Sequence, residues 1–444
     1  MKAVRPALND GAGILVLSIG LLLNLRAHGA VSFTIAPSSC SNTYAGAITM
    51  QITGLTNGET VLVRKYLDAN TNHVLDGSDW FVQSLNLTDG QNFVIGGVTN
   101  FNVPGDSNST TGAITASVSF PGGGFSQQIA GTYLLKLSSP SGRFTAITNT
   151  LTVSNLAYPQ SFTGTVKSSG TNVPYAAVLV FTPPTPNGGI NPVAGTIANS
   201  AGSYTLKAPV GTYLLWAVRS NFVTDLSSSP VLTLSAGATI TTNLTIIPAT
   251  RSISGRLVDA ATNSIGIAGI SLYFQSTNNL VANGFTDSSG NFAIAVTSSL
   301  WKSGGDSSPL DMHAYLGLQN EVYFNSTTGN VVGATVALPR ATSLIYGTVK
   351  DDQNRPFAAL RLNGNQNDGS GLYRGDALTD ANGNYVMGVV SGDWSVSASG
   401  DSPSTANYVF SEPSSTNIVD GNAVHLNVTG IPATNQFSRP VWRS

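Results

Sequence analysis

The residues from Leu67 to Asp79 have the spacing of a calcium-binding loop. Counted from Asp68 as position 1, side chains that carry oxygen occupy positions 1, 3, 5, 9 and 12, and the apolar Leu75 occupies position 8. In an EF-hand loop these positions and the main-chain carbonyl of position 7 bind one ion. Hard oxygen donors in this number favour Ca²⁺ over zinc. The predicted ligands are Asp68, Asn70, Asn72, Val74 through its carbonyl, Asp76 and Asp79.

Two positions of this loop depart from the EF-hand pattern. Position 6 is His73, where glycine is expected because the backbone takes a positive φ, and position 12 is Asp79, which is shorter than glutamate. The flanking segments are typical of strands rather than helices. Two interpretations stay open: a structural Ca²⁺ site between two β-strands, and a solvated acidic turn.

Catalysis finds little support in the residue types. Beyond the first thirty residues the chain has three histidines, His73, His313 and His425, none of them in an HExxH setting. Cys40 is the only cysteine, so no intrachain disulfide can form. Only 9% of the residues are charged, which leaves few carboxylates for acid–base pairs. We expect no catalytic residue and predict that the chain is not an enzyme.

Two tryptophans are candidates for carbohydrate binding, which uses exposed aromatic rings together with Asn, Asp and Gln side chains. Trp216 lies three residues after Tyr213, so in a strand with Tyr213 pointing inward Trp216 points outward. Trp80 follows the acidic loop directly. The alternative is that both rings are buried at edges or at junctions between domains.

These residues are set in a chain with the pattern of β-sandwich domains. Short runs rich in Val, Ile, Thr, Tyr and Phe alternate with clusters of Gly, Pro, Asn and Ser. A length of 444 residues exceeds what one core usually organises, and 41% hydrophobic residues are enough for several cores. The predicted fold is all-β, a tandem series of β-sandwich domains.

Three units of this series repeat one another. Each opens with a strand that contains a glycine, and Gly164, Gly255 and Gly347 are spaced 91 and 92 residues apart. A turn follows in each unit, at Ser200, at Asp287 and at Asp380. After each turn come two aromatic residues nine positions apart, namely Tyr204 and Tyr213, Phe292 and Trp301, and Tyr385 and Trp394. Aromatic residues that recur in one register indicate core packing.

The repeated units resemble the carboxypeptidase regulatory-like domain. The resemblance rests on Gly164-Thr165-Val166, Val173–Val180, Asp380–Tyr385 and Gly211-Thr212-Tyr213. The first unit departs from it by having Ser200 in place of the aspartate, and the second has no Gly-x-Tyr before Trp301. The resemblance implies a transthyretin-like sandwich, one of the carbohydrate-binding-like folds, over residues 158–432, and it implies carbohydrate binding as the activity.

Proline and polar residues mark the predicted junctions, which we expect to be short linkers between separate cores. The predicted domains are a signal peptide 1–30, an immunoglobulin-like sandwich with the calcium-type loop 31–157, regulatory-like repeats 158–248, 249–341 and 342–432, and a tail 433–444. The immunoglobulin-like assignment rests on Ala130–Leu134, which resembles a late strand where a tyrosine anchors a corner.

The first thirty residues predict export. Lys2 and Arg5 precede an apolar stretch, Ala12–Leu23, and small residues follow at Ala27 and Gly29. The stretch is short for a membrane span, although an uncleaved anchor is the alternative.

A net charge of −2 without a basic run argues against nucleic-acid binding. We therefore expect a secreted binding and spacer protein at the cell surface or in the matrix, with carbohydrate as its partner. The alternatives are an adhesive array that binds other proteins and an accessory subunit of an extracellular hydrolase.

Overall fold

The computed structural model describes residues 30–42, 44, 46–120, 129–155, 158–183, 192–304, 308–368, 373–398, 408–411 and 414–433. The predicted signal peptide up to residue 29 and the predicted tail from residue 434 lie outside these residues. The described chain forms 38 β-strands and one helix of four residues, which confirms the all-β prediction. None of this helical structure has the length and apolar character needed to cross a membrane.

The N-terminal domain, which we call domain one, is a sandwich of two sheets. Its strands are β1 (Ser32–Ala36), β2 (Ser39–Ser41), β3 (Ala47–Thr53), β4 (Thr60–Leu67), β5 (Trp80–Thr88), β6 (Val94–Ile95), β7 (Val98–Thr99), β8 (Ala113–Ser119), β9 (Ile129–Ser138) and β10 (Ile147–Ser154). One sheet has the order β1-β3-β8, and the other contains β5, β4, β9, β10 and β2. Alternating inward residues such as Ile52, Val61 and Tyr133 fill the space between them.

Each repeat is a smaller sandwich. Repeat 1 contains β11 (Ser161–Ser168), β12 (Thr171–Asn172), β13 (Ala177–Phe181), β14 (Pro192–Ile197), β15 (Ser203–Lys207), β16 (Gly211–Val218), β17 (Phe222–Asp225), β18 (Val231–Leu234), β19 (Thr239–Thr241), β20 (Leu244–Thr245) and β21 (Ile247–Pro248). Repeat 2 contains β22 (Arg251–Asp259), β23 (Ser271–Ser276), β24 (Leu280–Phe285), β25 (Asn291–Val296), β26 (Leu300–Gly304), α1 (Ser308–Asp311), β27 (Gly317–Leu318), β28 (Tyr323–Asn325) and β29 (Val331–Leu338). Repeat 3 contains β30 (Ser343–Asp351), β31 (Arg361–Gln366), β32 (Tyr373–Leu378), β33 (Asn384–Val389), β34 (Gly392–Ala398), β35 (Tyr408–Phe410), β36 (Ser414–Ile418), β37 (Ala423–His425) and β38 (Val428–Pro432).

The three repeats share one topology. Their first sheets have the equivalent orders β18-β16-β13-β14, β28-β26-β23-β24 and β36-β34-β31-β32. Their second sheets are built on the opening strand, β11, β22 or β30. This strand pairs antiparallel with the strand after the turn and parallel with the last strands of its repeat.

The glycine of each opening strand lies so close to the last strands that no side chain fits. A Cβ atom would collide with a main-chain carbonyl: that of Thr242 for Gly164, of Ala334 for Gly255 and of Leu426 for Gly347. Each glycine is also paired in the sheet with the first aromatic residue of its repeat. The recurrence of glycine therefore follows from a close approach of two parallel strands.

The turn before each first aromatic residue is held by one side-chain oxygen. Asp287 and Asp380 each accept hydrogen bonds from the N–H groups two and four residues further on. In repeat 1 this residue is Asn199, whose Oδ1 makes the same two bonds, and the sequence alignment that placed Ser200 here was wrong by one position. The glycine three residues later has a φ of 75°, 78° and 76° in repeats 1, 2 and 3.

The second aromatic residues are core residues, which confirms the packing interpretation. Tyr213, Trp301 and Trp394 have exposed fractions of 5%, 0% and 0%. The polar atom of each ring donates a hydrogen bond to the carbonyl four residues earlier, at 3.1, 2.9 and 2.8 Å. Tyr133 of domain one makes the same kind of bond to Ile129 at 2.8 Å, as expected for a corner tyrosine.

Each domain extends a sheet of the repeat that follows it. The equivalent strands β14, β24 and β32 each lie at the edge of their repeat's own first sheet. This edge is occupied by β9 of domain one in repeat 1, by β17 of repeat 1 in repeat 2, and by β27 of repeat 2 in repeat 3. The same edge is therefore used at all three junctions.

Domain one also shares its core with the first two repeats. The outward side chains of the first sheet of repeat 1, including Leu179, Phe181 and Trp216, belong to the domain-one core. Tyr273 and Phe285 of repeat 2 pack against the same core.

A loop of domain one reaches repeat 3. The side-chain amide of Asn102 donates a 2.6 Å hydrogen bond to the carbonyl of Val386, and Phe93 packs against the repeat-3 core. The expected separate cores are present, because Tyr213, Trp301 and Trp394 lie in three different core clusters. The expectation that short linkers alone join the domains is wrong, because domain one contacts all three repeats.

Candidate functional site

The acidic loop begins at the end of β4 with a buried carboxylate. Asp68 has an exposed fraction of 0%, and its two oxygens accept hydrogen bonds from the main-chain N–H groups of Asn72 (3.2 Å) and His73 (2.8 Å). His73 has a φ of 60°, which is the left-handed conformation that position 6 of an EF-hand loop requires. The backbone thus folds around Asp68, whose two oxygens are held by main-chain N–H groups.

Asp76 is the centre of the side-chain contacts within the loop. Its Oδ2 accepts hydrogen bonds from the amide nitrogens of Asn70 (2.9 Å) and Asn72 (2.7 Å), and its Oδ1 accepts from the hydroxyl of Ser78 (2.7 Å). These bonds, first of all those from Ser78, hold the pKa of Asp76 well below its usual range. Asp76 is therefore a carboxylate at neutral pH.

Asp79 closes the loop in a less favourable setting. Its Oδ2 accepts a 2.9 Å hydrogen bond from the N–H of Asp76, whereas its Oδ1 is buried without a hydrogen-bond partner among the described residues. Burial, followed by the negative charges of Asp76 and Asp68, raises the pKa of Asp79. A cation bound in the loop would offset the repulsion between Asp79 and the other two carboxylates, and it would give Asp79 Oδ1 a partner.

The side chains of this loop carry oxygen atoms, the donor type that a hard cation prefers. The part of the chain that the structure describes has no group of three or more His, Cys, Asp or Glu side chains in ligating geometry. The loop is closed instead by bonds from the Asn70 and Asn72 amides to Asp76, and a rotation of either amide would present its oxygen in place of its nitrogen. The Ca²⁺ assignment, including the carbonyl of the exposed Val74, stays a prediction.

The two candidate tryptophans are not exposed platforms. Trp216 has an exposed fraction of 3% and lies 4.0 Å from the ring of Phe181, within the domain-one core. Trp80 has an exposed fraction of 6% and lies 5.7 Å from the ring of Phe285 of repeat 2. Strand parity correctly placed Trp216 on the face opposite Tyr213, but domain one covers that face. Both tryptophans are therefore buried at junctions between domains, which was the alternative interpretation.

The three histidines have unrelated surroundings. His73 is exposed and lies 3.8 Å from Asp68, and His425 lies with its ring 5.1 Å from that of Tyr346. His313, which follows α1, is half-buried, and burial lowers its pKa to about 4. His313 is therefore neutral at physiological pH.

Sequence reasoning missed a charged residue in the core of domain one. Lys65 points inward from β4, with its Nζ 4.5 Å from the centroid of the Tyr133 ring and 5.8 Å from that of Phe120. It lines a cavity of about 20 Å³ together with Met50 and Leu151. Burial lowers the pKa of Lys65 to about 7. The alternation of inward and outward residues along β4 could have predicted this position, because Lys65 follows the buried Val61 and Val63 at intervals of two residues.

Comparisons with known proteins give limited similarities. No protein family and no curated protein matches this sequence. Among solved structures, the TIE protein of Bacillus anthracis is similar at 12% identity, covering 90% of this chain and 75% of that one with a TM-score of 0.21. A streptococcal ancillary pilin is similar at 9% identity over 61% of this chain and 98% of the pilin, with a TM-score of 0.22. BcpA, the major pilin of Bacillus cereus, is similar at 9% identity over 62% and 99%, with a TM-score of 0.17.

At these TM-scores the similarity supports no conclusion about what this chain does. It likewise leaves the resemblance to the carboxypeptidase regulatory-like domain as a prediction.

Proposed function

We propose that this chain is a non-catalytic structural protein of the cell surface or extracellular matrix that holds its domains in a fixed arrangement and binds carbohydrate. One observation carries the structural part of this proposal. At each of the three junctions the preceding domain contributes a strand to the same sheet edge of the next repeat, through β9, β17 and β27.

Strand addition at a junction restricts motion between domains. Main-chain hydrogen bonds fix both the distance and the direction of the two partners, whereas a short polar linker fixes neither. The junction with repeat 1 also buries Trp216, Phe181 and Leu179 in a common core. Large hydrophobic interfaces within a chain argue against free domain motion. Such a chain is suited to act as a spacer that keeps a fixed shape.

The residues that recur in the repeats support a non-catalytic role. The glycines, the turn residues Asn199, Asp287 and Asp380, and the aromatic rings have structural contacts in every repeat. The histidines, which are the usual general acids and bases, lie in separate surroundings.

Calcium binding would add to the stiffness of domain one. We infer that Asp68, Asn70, Asn72, the carbonyl of Val74, Asp76 and Asp79 hold a structural Ca²⁺ ion. Three observations support this inference: the left-handed backbone conformation of His73, the three carboxylates of the loop, and the raised pKa of Asp79 caused by burial and neighbouring negative charge. The ion would neutralise that charge and so stabilise the loop.

The proposal of a fixed arrangement is tested by small-angle X-ray scattering of the mature chain. We expect one arrangement, that of the structure, to reproduce the scattering curve, with the same curve at low and high salt. A curve that requires several interdomain orientations would refute the structural role. Fractionation of the source cells, with the protein found outside the cytoplasm, tests the localisation.

A further inference from the structure

The first sheet of each repeat has an outward face, and repeats 1 and 2 use this face to contact domain one. In repeat 1 the outward positions of β13 and β16 carry Leu179, Phe181 and Trp216, all within the domain-one core. In repeat 2 the outward Tyr273 and Phe285 of β23 and β24 pack against the same core. The two faces are therefore apolar where domain one covers them.

The equivalent face of repeat 3 is polar. Leu362 of β31 and Val396 of β34 are buried in the core, so the alternate residues of these strands point outward. Across this face Asn363 is paired with Asp376 on one side and Ser397 on the other. In the next row Asn365 is paired with Arg374 and Ser395. We call the outward side of β32, β31, β34 and β36 the polar face.

The charges of the polar face cancel. Arg374 Nη2 lies 3.8 Å from Asp376 Oδ1, and Arg361 Nη1 lies 4.0 Å from Asp376 Oδ2. At the other end, the amide of Asn417 donates a 2.8 Å hydrogen bond to Asp393 Oδ1. Asp376 is buried, with an exposed fraction of 2%, so it balances the guanidinium groups but is not itself presented to a ligand. With Asp393 the two guanidinium groups and two carboxylates give the face no net charge, and its half-buried amides and hydroxyls supply donors and acceptors.

Domain one reaches repeat 3 from a different side. Its contacts there go to the second sheet, where Asn102 bonds to the carbonyl of Val386 in β33 and Gly96 lies against Ala423 in β37. The side chains of Asn363, Asn365 and Ser395 on the polar face are half-buried rather than enclosed. The face that binds domain one in the other repeats is therefore not used for that purpose in repeat 3.

We propose that the polar face of repeat 3 binds a neutral, hydroxyl-rich carbohydrate polymer. This inference rests on the proposed function, to which it adds the site. Sugar hydroxyl groups both donate and accept, and they match rows of amide, hydroxyl and guanidinium groups on adjacent strands, about 4.8 Å apart. The absence of net charge on these described positions matches a neutral polymer rather than an acidic one.

A protein partner is disfavoured by the same composition. Protein interfaces are centred on buried aromatic or aliphatic anchors. Apart from Leu378 at one end, the described outward positions on these four strands are polar. The face thus lacks the apolar centre that repeats 1 and 2 present to domain one.

The test is affinity electrophoresis of the full mature chain in gels that contain mannan, xylan, mixed-linkage β-glucan or amylose, with alginate as an acidic polymer. The variant Asn363→Ala/Asn365→Ala removes the central amides of both rows. The matched control is Thr212→Ala/Thr233→Ala, an exposed cross-strand pair on β16 and β18 of repeat 1. Both variants are first shown to have the melting temperature of the parent.

We expect at least one neutral polymer to retard the parent and the control. We expect the asparagine variant to bind about tenfold more weakly or worse, because several hydrogen bonds are lost. Retardation of the asparagine variant equal to that of the parent would overturn the site and leave the proposed carbohydrate function intact. A parent that no neutral polymer retards would overturn both, and retardation by alginate alone would overturn the neutral ligand.

Discussion

The hydroxyl of Tyr385 donates a 2.7 Å hydrogen bond to the main-chain carbonyl of Leu426. Tyr204 donates the equivalent bond to Thr242 in repeat 1, also at 2.7 Å. These carbonyls are the ones that lie against the opening-strand glycines, so in both repeats one oxygen joins the opening strand, the aromatic strand and the last strands. Repeat 2 has Phe292 at this place and so has no hydroxyl to make the bond.

This difference predicts unequal effects of the reciprocal substitutions on the free energy of unfolding. Tyr385→Phe should lower the free energy of unfolding by about 1 kcal/mol, because the carbonyl of Leu426 loses a partner inside the sandwich. Phe292→Tyr should raise the free energy of unfolding or leave it unchanged, because the new hydroxyl could donate to the carbonyl of Ala334, which lies against Gly255. Chemical denaturation of both variants measures the two effects. Equal losses in both variants would show that the hydroxyl bond does not matter.

Substitution of the opening-strand glycine of repeat 2 tests the steric clash alone, without a contribution from a positive φ. Gly255 does not have a positive φ, yet a Cβ there would collide with the carbonyl of Ala334. Gly255→Ala should therefore destabilise repeat 2 by about 1–3 kcal/mol. Gly329→Ala is the matched control in the same repeat, because a Cβ at Gly329 meets nothing within 4 Å. Equal stabilities of the two variants would contradict the close approach.

The repeated sandwich could be predicted because its signals are local. The turn residue and the aromatic residue that follows it act within one hairpin, and the glycine acts within one strand pair of its own repeat. Their spacing therefore recurs with the repeat. The error at Ser200 arose because asparagine at position 199 makes the same bonds as aspartate, and an alignment on aspartate alone passes over it.

The junctions between domains could not be predicted in the same way. The side chains of Phe181 and Trp216 are apolar and point outward from their sheet. In a sequence, such residues are compatible both with an exposed ligand-binding surface and with an interface between domains. The choice depends on domain one, which lies far away in the sequence. The polar face of repeat 3 could not be recognised from the sequence for the same reason, because it stands out only by comparison with the equivalent faces of repeats 1 and 2, which domain one covers.

Burial of Trp216 at this junction predicts that domain one and repeat 1 unfold together. Trp216→Ala should cost about 3–5 kcal/mol, because it leaves a large cavity in a core that both domains share. Calorimetry should show one transition for both domains shifted to lower temperature. Val231→Ala, at an exposed valine of β18, should leave that transition in place. A loss confined to repeat 1 would contradict the shared core.

Calcium should raise the melting temperature of domain one. With a dissociation constant of about 10⁻⁴ M, 1 mM Ca²⁺ would add about 1.4 kcal/mol of stability. Asp76→Asn keeps the shape of the side chain and removes a ligand charge, so it should abolish the rise. Asp393→Asn, outside the loop, should keep it. A melting temperature of the parent that neither millimolar Ca²⁺ nor a chelator changes would rule out the site.

Lys65 predicts that domain one becomes more stable as the pH rises from about 7 to 10.5. Burial lowers the pKa of Lys65 to about 7 in the folded state, while the unfolded chain has the ordinary value of 10.5. Between these values the unfolded chain binds a proton that the folded chain does not, so raising the pH favours folding; below about pH 7 both states are protonated and the dependence ends.

Lys65→Met keeps a similar length and removes the charge. It should raise the free energy of unfolding at pH 7 by more than about 1 kcal/mol and flatten the pH dependence, because no proton is then taken up on unfolding. Lys136→Met, at a half-buried lysine of β9, should keep the dependence. Denaturation of the three proteins at pH 7, 8.5 and 10 measures this. A slope that Lys65→Met leaves unchanged would mean that another group titrates.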